Sequence, residues 1–168
     1  MVISSDLKKM LARSFVTGTL LAALLPGTAA SQIVVVVPAK SKIDSLSSKD
    51  LQKIFKGEPA GPKQLTPLQI VEFAPAGDDF YTQLYGANSY AIAKHWLRLI
   101  FSGARVLPPK SFSDAAKFLG YLAAHDNAIG FLPLELLQQA KDNSIRAVLI
   151  DGRDYHHPQY LLRKKAAK

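Results

Sequence analysis

The 168-residue chain contains no cysteine, which excludes a disulfide framework, thiol chemistry and a lipid anchor carried on a cysteine after leader cleavage. It also lacks an apolar run long enough to cross a bilayer, for which ~20 residues are needed; the segment 15–25 is shorter and is interrupted by Thr17, Gly18 and Thr19. There is no Gly-x-Ser-x-Gly elbow, no glycine-rich phosphate loop followed by lysine, and no zinc-protease motif. Asp78 and Asp79 are adjacent, so they cannot face one another across a substrate as an acid–base pair must. His156 and His157 are adjacent in an extended stretch and point apart, with His95 and His125 distant in sequence, which argues against a metal site. The sequence therefore offers no catalytic residue and calls for no cofactor or metal. It contains no internal repeat.

What is present begins with a leader. Lys8, Lys9 and Arg13 form a basic segment, 15–25 is apolar, and the small residues Thr28, Ala29 and Ala30 follow, the three-part pattern of a signal peptide over 1–30. Cleavage after Ala30 would release a periplasmic chain starting at Ser31; retention as an uncleaved anchor is the alternative. Removing 1–30 takes three basic residues and Asp6 from totals of 21 and 13, leaving 18 Lys plus Arg against 12 Asp plus Glu, a net charge of +6. The remaining 138 residues suit one ordinary core. The positive balance suits an anionic ligand, an anionic membrane or nucleic acid, and export argues against the last.

Strand and helix signals alternate. Residues 33–37 are an unbroken β-branched run that reads as a central strand covered on both faces, ended by Pro38. Ser47 is placed to cap a helix over 47–56, with Asp50 in its first turn, Leu46 and Leu51 at staple positions, Leu51, Ile54 and Phe55 inward, and Gly57 as its stop. A Pro- and Gly-rich loop over 58–67 precedes a strand over 68–73. Asp78 or Asp79 is placed to cap a short helix ending at Gly86, and Asn88 or Ser89 a longer one to Phe101 with Ile92, Trp96, Leu97 and Ile100 inward. Ser113 opens a further helix carrying Phe118, Leu119 and Leu122. Residues 128–132 read as a strand, 134–140 as a helix and 145–150 as a last strand. Trp96, Phe101, Phe118, Tyr121 and Phe131 read as core. The alternation predicts a three-layer αβα sandwich over 31–152, followed by a basic, frayed tail over 153–168.

Several of these segments resemble a known family. The stretch LSSKDLQKIFKG at 46–57, Trp96 with FSG at 101–103, and NAIGF at 127–131 occur in the order and spacing found in phosphate-type substrate-binding proteins of ABC transporters, in their second lobe alone. The resemblance implies one lobe of a type 2 periplasmic-binding-protein fold. The family's glycine-rich opening segment, which supplies ligand contacts from the first lobe, has no counterpart. Where relatives carry an Arg and a Gly-Ser-Gly-Thr turn, this chain reads EFAPAGDDF at 72–80. Gly77 would free amides at a helix start for an oxyanion, while Asp78 and Asp79 stand where hydroxyls are expected and repel a dianion. Ser102 with Arg105, and Lys42 at the exit of the central strand, are the candidate sources of a hydroxyl and a countercharge.

Two functions of different class are expected from these features. One is capture of a small, phosphate-like oxyanion for an ABC permease or a sensor, with a second copy of the chain or another envelope protein closing over the open lobe. The other is a non-transport adaptor, in which the same lobe serves protein–protein contact.

Overall fold

The computed structural model describes residues 32–60, 68–140 and 143–163. Five strands form the main sheet among them: β1 (Ile33–Pro38), β3 (Gln69–Phe73), β4 (Lys110–Phe112), β5 (Ala128–Pro133) and β6 (Ile145–Ala147), in the order β4-β3-β5-β1-β6. A separate parallel pair joins β2 (Ser45–Leu46) to β7 (Leu149–Ile150). The helices are α1 (Ser48–Phe55), α2 (Gly77–Tyr85), α3 (Ser89–Phe101), α4 (Ala115–Ala124) and α5 (Leu134–Gln139). Strands β3, β4 and β5 are parallel, and β1 runs antiparallel to both β5 and β6.

Connection handedness accounts for the layers. From β3 the chain passes through α2 and α3 to β4 at the sheet edge, then returns through α4 across β3 to β5. These crossovers run in opposite directions along the sheet, so right-handedness sets their helices on opposite faces. Side chains agree. Phe131 of β5 meets Phe55 of α1 and Phe80 and Tyr81 of α2, while Phe73 of β3 meets Phe118 of α4 on the other face. β1 is buried along its whole length between the two layers, as its β-branched run predicts. The architecture is the expected three-layer α/β sandwich.

Helix α1 matches its sequence signals closely. Ser47 Oγ accepts from Asp50 N at 3.0 Å, Leu46, Leu51, Ile54 and Phe55 are buried, and Gly57 at φ +74° turns the chain out. Trp96 of α3 lies against Gly57 so closely that an added Cβ would sit 2.6 Å from the indole ring. His95 Nε2 is 3.0 Å from Lys56 O. The end of α1 and the middle of α3 are thereby fixed to one another.

Several expectations are corrected. The helix expected from Ser113 is capped instead by Asp114, whose carboxylate accepts from Lys117 N. The final strand divides: β6 pairs with β1 only at Val36, Val37 and Pro38, after which the chain leaves the sheet and β7 pairs with β2. The edge of β1 that β6 leaves open is covered by residues nearer the C-terminus, with Val148 N donating to Val35 O at 2.9 Å and Val35 N to the Tyr160 hydroxyl at 3.5 Å. Tyr160 and Leu162 are buried, so the chain does not fray from Arg153 but packs on the core through Leu162. Burial raises the Tyr160 hydroxyl to about 12. The largest correction is on α3, where Ile92 and Trp96 are buried but Leu97, Ile100 and Phe101 are exposed. The leader 1–30, most of the Pro/Gly loop and the last five residues lie outside the described residues. Among the described residues no helix is long and apolar enough to cross a membrane.

Candidate functional site

In open α/β sheets ligands bind beyond the carboxyl ends of the parallel strands. At that end β3 leads into a 3₁₀ turn at Ala74–Ala76 and then into α2. The helix begins at Gly77, two residues earlier than a cap at Asp78 would start it and three earlier than a cap at Asp79, and Ala76 holds the cap position without a side-chain bond. The Gly77 N–H already donates to Ala74 O, and Gly77 is buried with an ordinary φ of −59°. The expectation that Gly77 leaves free amides for an oxyanion is therefore corrected: the 3₁₀ turn takes up its N–H.

Asp78 is not a cap either. Its Oδ1 accepts from the Ser89 N–H at 2.8 Å and the Ser89 hydroxyl at 2.5 Å, tying the start of α2 to the start of α3. The Ser89 hydroxyl, and then its N–H, hold the Asp78 carboxyl below its ordinary value. Asp78 is thus ionised at neutral pH, and the stability it contributes is present above the ordinary carboxylate range and lost on acidification. Asp79 is exposed in the same first turn.

The remaining candidates are elsewhere. Because β1 is antiparallel to β5, it ends beside the start of β5, so Lys42 leaves the sheet at the amino ends of the parallel strands. Helix α3 begins beside Asp78 and carries Ser102 and Arg105 away along its 13 residues, roughly 20 Å of helix. The loop after it meets the start of β3, where Gln69 Nε2 donates to Pro108 O. The Ser102 hydroxyl is taken by Leu99 O at 2.8 Å. Gly77, Asp78 and Asp79 are therefore together at one end of the sheet, and Lys42 and Arg105 at the other. The topology does not converge them on one oxyanion.

One group at the carboxyl end escaped sequence reading. Glu72, the penultimate residue of β3, is partly buried under α2 and accepts a hydrogen bond from the Tyr81 hydroxyl. Burial raises its carboxyl above the ordinary range, opposed in part by that bond, while burial and then the Glu72 charge push the Tyr81 hydroxyl far above the ordinary phenol value. An acid raised in the folded state binds a proton that the unfolded chain has released, so its contribution falls as pH rises from the unfolded carboxylate value through the raised one. Glu72→Gln should remove that fall, leaving the variant the less pH-sensitive of the two in denaturant titrations across the window. Equal pH slopes would show that Glu72 is not strained by burial. Only an alternation signal, a single acid inside QIVEF, hints at this residue.

With this geometry in view, comparison with known proteins is informative about fold. No protein-family model and no curated protein sequence matches the chain. Solved structures do. An ABC-type phosphate transport receptor from Vibrio cholerae superposes with a TM-score of 0.56 at 16% identity, covering 79% of this chain and 53% of that one. The fold is that of one lobe of a substrate-binding protein. A candidate phosphate ABC transporter substrate-binding protein from Clostridium perfringens, with bound phosphate, gives 0.55 at 16% identity over 74% and 47% of the two chains. PstS from Borrelia burgdorferi gives 0.50 at 11% identity over 72% and 47%. The chain spans about half the length of the binding proteins it matches.

Proposed function

We propose that the chain is an exported solute-binding lobe for a small oxyanion of the phosphate class, acting in the periplasm with an ABC permease or a sensor. The observation that carries this reading is the fold, shared over half their length with a phosphate transport receptor and with a candidate binding protein that holds phosphate. A single lobe leaves its ligand open to water, whereas ligand sites bury most of the ligand surface. The lobe on its own is therefore a weak binder, and a second copy of the chain or another envelope protein supplies the closing face. The seat proposed is the carboxyl end of β3, where the chain turns from Ala74 into the start of α2; the Gly77 N–H, taken up by Ala74 O, is not one of its donors, and Lys42, Ser102 and Arg105 lie outside it.

An adaptor function is the second reading. It is favoured by Asp78, whose carboxylate is committed to Ser89 at the place where an oxyanion would sit. Calorimetric titration with phosphate separates the two. Wild type should bind in the millimolar range, and Asp78→Ser, which removes a like charge, should bind more tightly. Binding by neither protein at tens of millimolar phosphate leaves the adaptor reading. Equal binding by both keeps phosphate as ligand and moves the seat away from Asp78.

A further inference from the structure

The outward face of α3 has a chemistry that neither the core nor the candidate site uses. Successive helical residues lie about 100° apart, so Ile92, Trp96 and the partly buried Leu99 form the face against the body, and Ile100, Ala93, Leu97, Tyr90 and Phe101 fall in order within an adjoining sector of about 100° that reaches the far side of the helix at Phe101. Phe101 is 84% exposed, Tyr90 75% and Leu97 53%, and Leu107 in the next loop is exposed as well. Exposed apolar side chains are ordinarily scattered singly; a row of them marks a docking surface.

Charge narrows the occupant. Between Asp79 and Asp114 the sequence holds no acidic residue and four basic ones, Lys94, Arg98, Arg105 and Lys110. On the helix Lys94 and Arg98 border the apolar row on one side, and Arg105 lies just past its end. All three are exposed, and among the described residues no ion pair holds them. A second copy docked by a two-fold contact would set this basic border against its own image, which is unfavourable. The row also stands on the ridge of a helix rather than in a groove, so it suits a flat, deformable surface better than a shaped protein pocket.

We propose that the outward face of α3 docks the protein onto an anionic lipid surface. Tyr90, Leu97, Ile100 and Phe101 enter the boundary between headgroups and acyl chains, and Lys94, Arg98 and Arg105 meet the headgroup phosphates, the division of labour of an interfacial amphipathic helix. The docking stands whether or not the lobe binds a free oxyanion.

Cosedimentation of the full chain with vesicles of phosphatidylcholine, with and without phosphatidylglycerol, tests this. Wild type should bind the phosphatidylglycerol vesicles, and added salt should weaken the binding. The double variant Lys94→Gln with Arg98→Gln should bind about 25-fold more weakly, at about fivefold for each basic residue near a charged surface. Leu97→Ser with Phe101→Ser should lose at least about tenfold through the apolar contact. All four positions are exposed, so thermal midpoints should be unchanged; if the apolar pair does disturb folding, the charge pair still decides. Failure of wild type to bind overturns the proposal. So does equal binding by wild type and both variants, which would assign the membrane contact to the apolar segment 15–25. Concentration-dependent dimerisation abolished by Leu97→Ser with Phe101→Ser, without vesicle binding, overturns it in favour of a second copy.

Discussion

Phe55→Ala should destabilise the protein by about 3 to 5 kcal/mol, the range for removing a large buried aromatic side chain and leaving a cavity. Phe55 is fully buried at the end of α1, and its ring centre lies 4.8 Å from that of Phe80, 5.8 Å from Phe131 and 6.5 Å from Tyr81. These rings join α1, α2 and β5, and Phe80 stacks on Phe131 at 3.9 Å, so no side chain is loose enough to refill the space. The variant's urea transition should move to lower denaturant with an unchanged slope. A change below about 1 kcal/mol would mean that α1 does not lie on the core, since surface substitutions fall within about half of that.

Gly130→Ala is expected to have a comparable effect through overpacking. Gly130 lies in β5, paired on one side with Val36 of β1 and on the other with Val71 of β3. A Cβ there would fall 2.6 Å from Val71 O and 3.0 Å from Phe118 Cζ. The Phe118 ring can shift, but the Val71 carbonyl belongs to a neighbouring strand and moves only if the sheet moves. The cost should reach or exceed the usual ~1 to 3 kcal/mol of an overpacked core site. Gly120→Ala is the internal control: Gly120 is in α4 with nothing within 4 Å of an added Cβ, so alanine there should stabilise by up to ~1 kcal/mol through helix propensity. If the two substitutions shift stability alike, the close approach at Gly130 is not real.

The contrast between these sites shows which parts of the fold are legible in sequence. Residues 33–37 and 46–57 are readable because their signals are local: an apolar β-branched run specifies a doubly covered strand, and a cap, staple and stop specify a helix within one short window. Helix α3 is readable as a helix but not in its orientation. Ile92, Trp96, Leu97, Leu99, Ile100 and Phe101 together surround most of its circumference, so periodicity leaves open which face is packed, and contact of Trp96 with Gly57 decides it.

The candidate site is less legible for a related reason. Lys42 comes after a strand, and so does Gly77, but whether two strand ends share one end of a sheet depends on pairing direction, which no local pattern encodes. The antiparallel run of β1 against β5 separates them. Likewise Asp78 has the spacing of a cap, and only the approach of α3 shows that its carboxylate serves Ser89. Tyr160 and Leu162 sit in a segment whose basic composition suggests a solvated tail; the open edge of β1, which Tyr160 covers, exists only because β6 is three residues long.

The most direct test of the proposed solute-binding lobe is backbone amide NMR of the wild-type protein during phosphate titration at fixed pH and ionic strength. Saturable shifts are expected, confined to the carboxyl end of β3, at the amides of Ala74, Ala76, Gly77, Asp78 and Asp79, with Lys42 and Arg105 unaffected. Shifts at Lys42 or Arg105 without any at 74–79, or no saturable shift at tens of millimolar phosphate, would contradict it.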